Sequence, residues 1–176
     1  MASRRKPHEE HRHDYKDLRA HVAVLTVSSS KTPATDAAGR SARALLEGAG
    51  HSVADHRVVK DDRRAIAAAV RGWVQKVDVV VVTGGTGITR DDVTVEALRP
   101  LFEKELPGFG EAFRALSRRQ VGSAAFLSRA TAGVVKSTAV FCLPGSPAGV
   151  RLALKSILLP ELPHLVGLLR REVSRP

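Results

Sequence analysis

The segment DVVVVTGGTG constrains the fold most, because an unbroken β-branched run leads directly into a glycine-rich turn. Valine occupies every position from 79 to 82. A strand that is apolar on both sides must be covered on both sides, which is typical of a central strand in a parallel sheet. We therefore predict a sheet with helices packed against each of its faces.

The segments before this run alternate between strand-like and helix-like patterns. Strands are predicted over 21–29 and 52–59, and amphipathic helices over 36–50 and 61–76. Together with the valine run, this gives the order β-α-β-α-β. Such an order indicates a three-layer α/β/α fold with a mainly parallel central sheet.

The second half of the chain is expected to complete the domain with more helices and two short strands. We predict a helix over 94–105 with Thr94 as its N-cap. A break around 107–110 should precede another short helix. Strands are predicted over 125–135 and 137–144, and one or two helices should close the chain.

Length and composition favour one domain. The chain has 176 residues, of which 43% are hydrophobic and 26% charged, as in an ordinary globular protein. We predict a flexible, basic and histidine-rich tail over 1–18 and a single domain over 19–176. His8, His11 and His13 in the tail are interpreted as solvated rather than metal-binding, because no cysteine or fixed acidic partner is near them.

The sequence predicts a cytoplasmic location and no membrane partner. No apolar run approaches the roughly 18 residues that a membrane-spanning helix needs. The N-terminus has basic residues but lacks the apolar core of a secretory signal. Cys142 is the single cysteine, which excludes an internal disulfide and fits a reducing compartment.

The net charge of +10 leaves nucleic acid, membrane surfaces and anionic small molecules open as partners. The basic residues are dispersed along the chain, and aromatic residues make up only 4% of it. Single-stranded nucleic acid is usually bound on aromatic side chains beside a basic groove. Nucleic acid is therefore disfavoured, and a solvated basic surface or an anionic small molecule is preferred.

Four polar loops leave the ends of predicted strands and point to a common binding site. They span 28–30, 59–62, 83–87 and 144–147. In open α/β sheets, ligands bind outside the carboxyl ends of the strands, where such loops converge. A purely structural turn would need only one or two of their small or polar residues.

The glycine loop does not match the common nucleotide motifs. A Walker A loop requires a Gly-Lys-Ser/Thr ending, which is absent after Gly87. A Rossmann fingerprint requires a third glycine where Arg90 stands. However, Gly84, Gly85 and Gly87 allow the bare backbone to approach a ligand, and its N–H groups suit a phosphate. A tight strand-to-helix turn without a ligand is the alternative.

Two aspartates near these loops raise an electrostatic problem. Asp92 follows the glycine loop, and Asp61 follows the preceding strand. Two carboxylates beside an anion site would repel the anion unless a cation stands between them. Mg²⁺ fits because it bridges carboxylates and phosphates, which suits phosphoryl or nucleotidyl transfer. Capping of a helix N-terminus is the alternative role for each aspartate.

Other polar residues are weaker candidates. Ser128 and Arg129 could contact an anion at the end of a predicted strand. His51, His56 and His164 are interpreted as surface or packing residues rather than catalysts.

Four segments of the sequence resemble the MoaB/MogA family of molybdenum cofactor biosynthesis. They are TGGTGITRDDVTVEAL, ELPGFGEAFR, LSRATAGV and FCLPGSPAGV. The resemblance extends from about residue 20 to 160 with these segments in order, and it is closer to the MoaB branch. It implies the molybdopterin-binding fold and a molybdopterin adenylyltransferase, which transfers AMP from Mg-ATP to the phosphate of molybdopterin and releases pyrophosphate.

The resemblance also implies roles for particular residues. Asp61 and Asp92 would be the catalytic residues and would hold Mg²⁺. Contacts to molybdopterin and ATP are expected from Ser28, Thr83, Gly84, Gly85, Thr86, Gly87, Glu96, Ser128, Pro144, Gly145 and Ser146. Members of this family form homotrimers and in some cases hexamers, and contacts with other molybdenum cofactor enzymes are expected.

One departure from the family pattern keeps a second hypothesis open. Many relatives have Ser-Asp-Arg in the first loop, where this chain has Ser28-Ser29-Ser30. Some members of the MoaB branch lack adenylyl transfer activity. A non-catalytic molybdopterin-binding or carrier protein of the same fold is therefore the alternative, although both aspartates are present.

Overall fold

A six-stranded sheet forms the centre of the protein in the computed structural model, which describes residues 15–173. The strands are β1 (His21–Val27), β2 (Ser52–Val59), β3 (Val79–Thr83), β4 (Lys104–Glu105), β5 (Thr131–Val135) and β6 (Thr138–Leu143). Their order is β2-β1-β3-β6-β5-β4. The first four are mutually parallel, whereas β5 runs antiparallel to both β6 and β4. The prediction of a mainly parallel sheet is confirmed.

Helices cover both faces of this sheet. They are α1 (Ala37–Gly48), α2 (Arg63–Trp73), α3 (Thr94–Leu98), α4 (Pro107–Val121), α5 (Pro147–Ala153) and α6 (Leu159–Val173). Buried residues of α1, α4, α5 and α6 form one apolar core with the sheet, and those of α2 and α3 form a second. The predicted three-layer architecture follows from these two cores.

The valine run of β3 supplies both cores, as its sequence predicts. Val79 and Val81 belong to the first core, and Val80 and Val82 to the second. Successive side chains of a strand point to opposite faces, so four consecutive valines serve two layers. Cys142 on the adjacent strand β6 is also fully buried, and this burial raises the pKa of its thiol to about 12.

The helix predicted over 94–105 is wrong in its second half and at its cap. Helix α3 ends at Leu98, and a 3₁₀ turn containing Pro100 follows it. Proline removes a helical donor, and the next residues pair with β5 as the short edge strand β4. Thr94 is not the N-cap: it is the first helical residue, and its hydroxyl donates to the carbonyl oxygen of Gly84 at 2.7 Å.

Two other boundaries differ from the sequence prediction. The break expected around 107–110 is the first turn of α4, because proline is favoured at the first helical position. The strand predicted over 125–135 begins only at Thr131, after a 3₁₀ segment over Gly122–Leu127. The N–H of Arg129 donates to Thr86 instead of to a strand partner.

The C-terminal helices are continuous. A π-helical segment, Leu154–Leu158, joins α5 to α6 just before Pro160. Helical residues 147–171 are long and apolar enough to cross a membrane by length and composition alone, which the sequence analysis did not anticipate. Their apolar side, including Val150, Leu154 and Val166, packs in the first core.

The beginning of the described chain packs against α6. The Tyr15 ring stacks on the His164 ring with centroids 6.2 Å apart, and Leu18 packs against the first core. The last residues of the predicted tail thus belong to the folded domain. Residues 1–14, with the three tail histidines, lie outside the described residues.

The remaining histidines have packing partners, as predicted. His51 is buried, and its Nδ1 accepts the N–H of Ala20 at 3.1 Å. His56 Nε2 lies 2.9 Å from the carboxylate of Asp36, which is the N-cap of α1. Asp36 thus both caps α1 and holds His56.

An ion pair closes the edge of the sheet at which β1 and β3 begin. Asp78 accepts two hydrogen bonds from the Arg170 guanidinium, at 2.8 and 2.9 Å, and one from the N–H of His21 at 2.8 Å. Arg170 also donates to the carbonyl of Arg19. Partial burial raises the pKa of Asp78, but these hydrogen bonds outweigh it and hold the pKa below its usual value. We call this contact the Asp78–Arg170 pair.

Candidate functional site

The predicted convergence of loops is present at the carboxyl edge of the sheet. Thr83 donates its hydroxyl to the carbonyl of Pro144 at 2.8 Å. The N–H of Gly84 donates to Leu143, and that of Ser28 donates to Val59. These hydrogen bonds join the end of β3 to that of β6 and the end of β1 to that of β2.

The turn after β3 requires glycine at two positions. Gly84 and Gly85 have φ angles of 101° and 64°, which disfavour residues with side chains. A Cβ atom on Gly84 would clash with the carbonyl of Val27, and one on Gly85 would clash with the hydroxyl of Thr94. The turn therefore lies directly against the end of β1 and the start of α3.

Two of the four backbone donors from Gly84 to Gly87 are used within the protein. The N–H of Gly84 donates to Leu143, and that of Gly87 to the carboxylate of Asp92. The N–H groups of Gly85 and Thr86 make no hydrogen bond to the described part of the chain. A backbone N–H group without a partner in the protein is free to donate to a ligand, so these two are the candidate donors for a phosphate.

Asp92 closes the glycine loop. Its carboxylate accepts the N–H of Thr89 at 2.9 Å and the hydroxyl of Thr89 at 2.6 Å. Burial raises the pKa of Asp92. Hydrogen bonds from Thr89 and Gly87 and the charge of Arg129 lower it by more, so the pKa lies below its usual value. Asp92 does not cap α3, whose N-cap is Val93. Asp92 is therefore an ionised carboxylate at the carboxyl edge of the sheet.

Asp61 is held by the loop after β1. Its carboxylate accepts the N–H and the hydroxyl of Ser29 at 2.6 and 2.7 Å. The cap of α2 is the neighbouring residue, Asp62, which accepts the N–H of Ala65 at 2.8 Å. The capping alternative is therefore wrong for Asp61 as well as for Asp92.

The donor set fits a magnesium ion that arrives with a phosphate ligand. Asp61 and Asp92 lie on the loops of different strands, and each carboxylate is held by its own hydrogen bonds, to Ser29 and to Thr89 respectively. Within residues 15–173, no group of three or more acidic, histidine or cysteine side chains could hold a metal by itself. Mg²⁺ commonly takes only one or two carboxylates and completes its shell with water and substrate phosphate oxygens. The magnesium site stays a prediction.

Arg129 and Glu96 form an ion pair that packs against the glycine loop. Arg129 donates to the carbonyl of Gly87 at 2.6 Å and to that of Asp92 at 2.8 Å, and its guanidinium pairs with Glu96. The hydrogen bond from Arg129 lowers the pKa of Glu96 more than burial raises it. Both side chains are therefore engaged with the protein, whereas we expected Arg129 to contact an anion and Glu96 a substrate.

Several other predicted contacts also have internal partners. Ser146 is the N-cap of α5, and its Oγ accepts the N–H of Gly149 at 3.1 Å. Ser128 Oγ accepts the N–H of Ala130 at 3.3 Å. Ser28 Oγ accepts the N–H of Lys31 at 3.3 Å. These residues shape the loops, and their contact with substrate stays a prediction.

Comparison with known proteins identifies the family. Residues 23–164 match the family described as "Probable molybdopterin binding domain". This chain belongs to that family, within the MoaB and MogA group of molybdenum cofactor biosynthesis proteins. It is 46% identical over 167 residues to molybdenum cofactor biosynthesis protein B of Bacillus subtilis strain 168, covering 93% of this chain and 98% of that protein.

Solved structures of MoaB and MogA proteins have the same fold. A crystal structure of molybdenum cofactor biosynthesis protein B aligns with a TM-score of 0.85 at 43% identity, covering 88% of this chain and 98% of that one. The tungsten cofactor synthesizing protein MoaB from Pyrococcus furiosus aligns at 0.78 and 37% identity, covering 86% and 98%. A MogA structure aligns at 0.78 and 32% identity, covering 85% and 99%.

One feature of this MoaB relative was missed in the sequence. The ammonium group of Lys31 donates to the carbonyl of Gly145 at 3.2 Å and so joins the loops after β1 and β6. The signal available was a lysine directly after the serine run at the end of a strand. Its partner, 114 positions away, could not be inferred without the sheet order.

A cavity of about 550 Å³ also adjoins the site. Glu96 and Arg129 form part of its lining, together with Arg63 and Arg114. Arg114 donates to the carbonyl of Ala130 at 3.2 Å. These arginines come from three separate segments, and nothing in their spacing indicates that they line one cavity.

Proposed function

We propose that this protein is a magnesium-dependent molybdopterin adenylyltransferase. It would transfer AMP from ATP to the phosphate of molybdopterin and release pyrophosphate. The observation that carries the proposal is the glycine turn, where the N–H groups of Gly85 and Thr86 are unused beside the ionised carboxylate of Asp92. Membership of the molybdenum cofactor family supplies the substrate class.

The reaction needs alignment and charge neutralisation more than proton transfer. A phosphate oxygen of molybdopterin attacks the α-phosphorus of ATP, and the bond from that phosphorus to the bridging oxygen of pyrophosphate breaks. The attacking oxygen is ionised at neutral pH, since the second pKa of a phosphate monoester is about 6. No general base is therefore required.

The residues of the glycine loop would hold the phosphates in position. The N–H groups of Gly85 and Thr86 would donate to phosphate oxygens, and Asp61 and Asp92 would hold the metal. When bound, Mg²⁺ neutralises phosphate charge and aligns the reacting groups. Arg129 would keep Gly87 and Asp92 in place through their carbonyl groups.

A non-catalytic carrier is the second candidate, and one observation favours it. Ser29 occupies the loop position at which we expect an acidic residue in many relatives, and both its donors are used on Asp61. One acidic contact expected from those relatives is therefore missing here. Such a site could bind the pterin without turnover.

The decisive experiment is incubation of the protein with molybdopterin and Mg-ATP. We expect adenylylated molybdopterin and an equal amount of pyrophosphate, and no product when the metal is chelated. Absence of product from folded protein that still binds molybdopterin would refute the enzyme and support the carrier.

We further propose a cytoplasmic homo-oligomer, a trimer or a hexamer, which can pass its product to other molybdenum cofactor enzymes. Support for self-association comes from exposed apolar side chains, of which Phe126 is 74% and Val121 53% exposed. Light scattering coupled to gel filtration measures the assembly, and a monomer at micromolar concentration would refute it. Nucleic acid remains disfavoured as a partner.

A further inference from the structure

Lys31 connects the two loops that lie on either side of the glycine loop. It follows β1 in sequence, and its ammonium group donates to Gly145, in the loop after β6. Strand β3 lies between β1 and β6 in the sheet. The contact therefore spans the turn that β3 feeds, at Gly84 and Gly85. Gly145 packs against the backbone of Gly84, which fixes the Lys31 contact close to that turn.

The charge of Lys31 has no counter-ion within the described chain. Its side chain is half-buried, and its hydrogen-bond partner is a neutral carbonyl group. Arg129, on the other side of the loop, is instead neutralised by Glu96. A partly desolvated ammonium group is normally paired with an anion. Its acceptor, Gly145, lies against Gly84, and Gly84 directly precedes the two residues with unused N–H groups, so a bound phosphate is the fitting partner.

We propose that Lys31 binds a substrate phosphate at the glycine turn, together with the N–H groups of Gly85 and Thr86. This inference rests on the proposed function and adds a binding residue to it. The ammonium group, held between the loops after β1 and β6, would offset negative charge of the phosphate that two N–H dipoles cannot neutralise. An ammonium group has three N–H donors, so the contact with Gly145 leaves donors for the ligand.

The test compares Lys31→Met, which keeps the length of the side chain but removes its charge, with Lys31→Arg. Lys155→Met is the matched control, because Lys155 is an exposed lysine on the π-helical segment. Calorimetry gives the Kd of each protein for Mg-ATP, for molybdopterin and for adenosine. We expect Lys31→Met to weaken binding of a phosphate ligand roughly tenfold to a hundredfold. Adenosine binding should be unchanged, Lys31→Arg should restore most of the affinity, and the control should match wild type.

Comparison of the three ligands shows whether the bound phosphate belongs to ATP or to molybdopterin. It also shows whether Lys31 binds phosphate or only joins two loops. Weakening of Mg-ATP alone assigns the contact to the nucleotide, and weakening of molybdopterin alone assigns it to the pterin phosphate. Wild-type affinity of Lys31→Met for both phosphate ligands would overturn the inference. An equal loss of adenosine binding would also overturn it, because it would make Lys31 only a tie between loops.

Two further controls keep the outcomes distinct. If Lys31→Met does not fold, as judged by circular dichroism, Lys31→Gln replaces it with the same expected losses. If wild type binds phosphate through Lys31 but forms no adenylylated product, the adenylyltransferase proposal fails and the Lys31 contact stands. If product forms and Lys31→Met binds both substrates normally, only the contact fails.

Discussion

Two arginine–carboxylate pairs at opposite edges of one sheet have different consequences. At the carboxyl edge, Arg129 pairs with Glu96 and also donates to the carbonyl groups of Gly87 and Asp92. At the other edge, the Asp78–Arg170 pair connects the start of β3 to α6. The first pair shapes a loop that carries unused donors, whereas the second joins elements of the core. An arginine–carboxylate pair thus shapes the glycine loop at the carboxyl edge and connects β3 to α6 at the opposite edge.

The exposure of the pairs limits what either contributes to stability. The side chains of Arg129 and Glu96 are 34% and 33% exposed, and those of Arg170 and Asp78 are 44% and 13% exposed. Solvent screens such pairs, and exposed ion pairs usually contribute at most about 1 kcal/mol. Substitutions in the Arg129–Glu96 pair should therefore change activity clearly. Substitutions in the Asp78–Arg170 pair should produce a small but measurable loss of stability.

Replacement of Asp92 tests most directly whether the carboxyl edge is the catalytic one. Asp92→Asn keeps the shape of the side chain but removes the charge that would hold the metal. We expect the rate of adenylylated molybdopterin formation to fall roughly 10³-fold or more, with the circular dichroism spectrum unchanged. Asp62→Asn is the control, since asparagine is also a good N-cap for α2. Wild-type turnover by Asp92→Asn would remove its assigned role.

Matched lysine substitutions compare the two arginines for activity. Arg129→Lys keeps a charge for Glu96 but loses the planar fork that reaches Gly87 and Asp92 at the same time. Misplacement of the loop should lower kcat/KM roughly 100-fold. Arg170→Lys should leave kcat/KM unchanged. Equal losses in the two variants would mean that both pairs act only on the fold.

The reverse comparison concerns stability. Arg170→Ala removes the partner of Asp78 and a hydrogen bond to Arg19. We expect the free energy of unfolding to fall by about 1 kcal/mol, after allowance for solvent screening of an exposed arginine. Urea denaturation measures it, and activity at 25 °C should match wild type. A large fall in kcat/KM while the free energy of unfolding stays at the wild-type value would contradict the structural role of this pair.

The smallest expected effect is a pH dependence at the Asp78–Arg170 pair. The pKa of Asp78 is lower in the folded protein than its value of about 3.9 in an unfolded chain. Its contribution to stability is therefore fully present above about pH 4 and is lost as the pH falls through the lower, folded pKa. Asp78→Asn should be less stable than wild type at pH 7, and this difference should narrow in acid. A difference that stays constant below pH 4 would contradict the ionic contribution.

The sequence predicts the layers of the fold well because their signals are local. The valine run 79–82 and the strand and helix patterns before it each depend on a few neighbouring residues. The helix predicted over 94–105 is wrong because pairing of β4 with β5 decides its second half. Tertiary pairing of this kind overrides local propensity and is invisible to a periodic pattern.

The candidate site is predictable only in outline for the same reason. The glycines and the two aspartates could be identified from their types and spacing. Which N–H groups stay unused depends on Leu143, which takes the N–H of Gly84, and on the side chain of Asp92. The position of Lys31 depends on the order of β1, β3 and β6. Residue type indicates the chemistry, but the sheet decides which groups face a ligand.

The burial of Cys142 makes the protein suitable for site-specific fluorescence. The native thiol is fully buried, and its pKa of about 12 leaves almost no thiolate at neutral pH. A cysteine introduced at Ile88, which directly follows the glycine loop and is 67% exposed, would then be the reactive thiol towards a maleimide dye. A dye at that position would report ligand binding from the loop itself, without removal of the native cysteine.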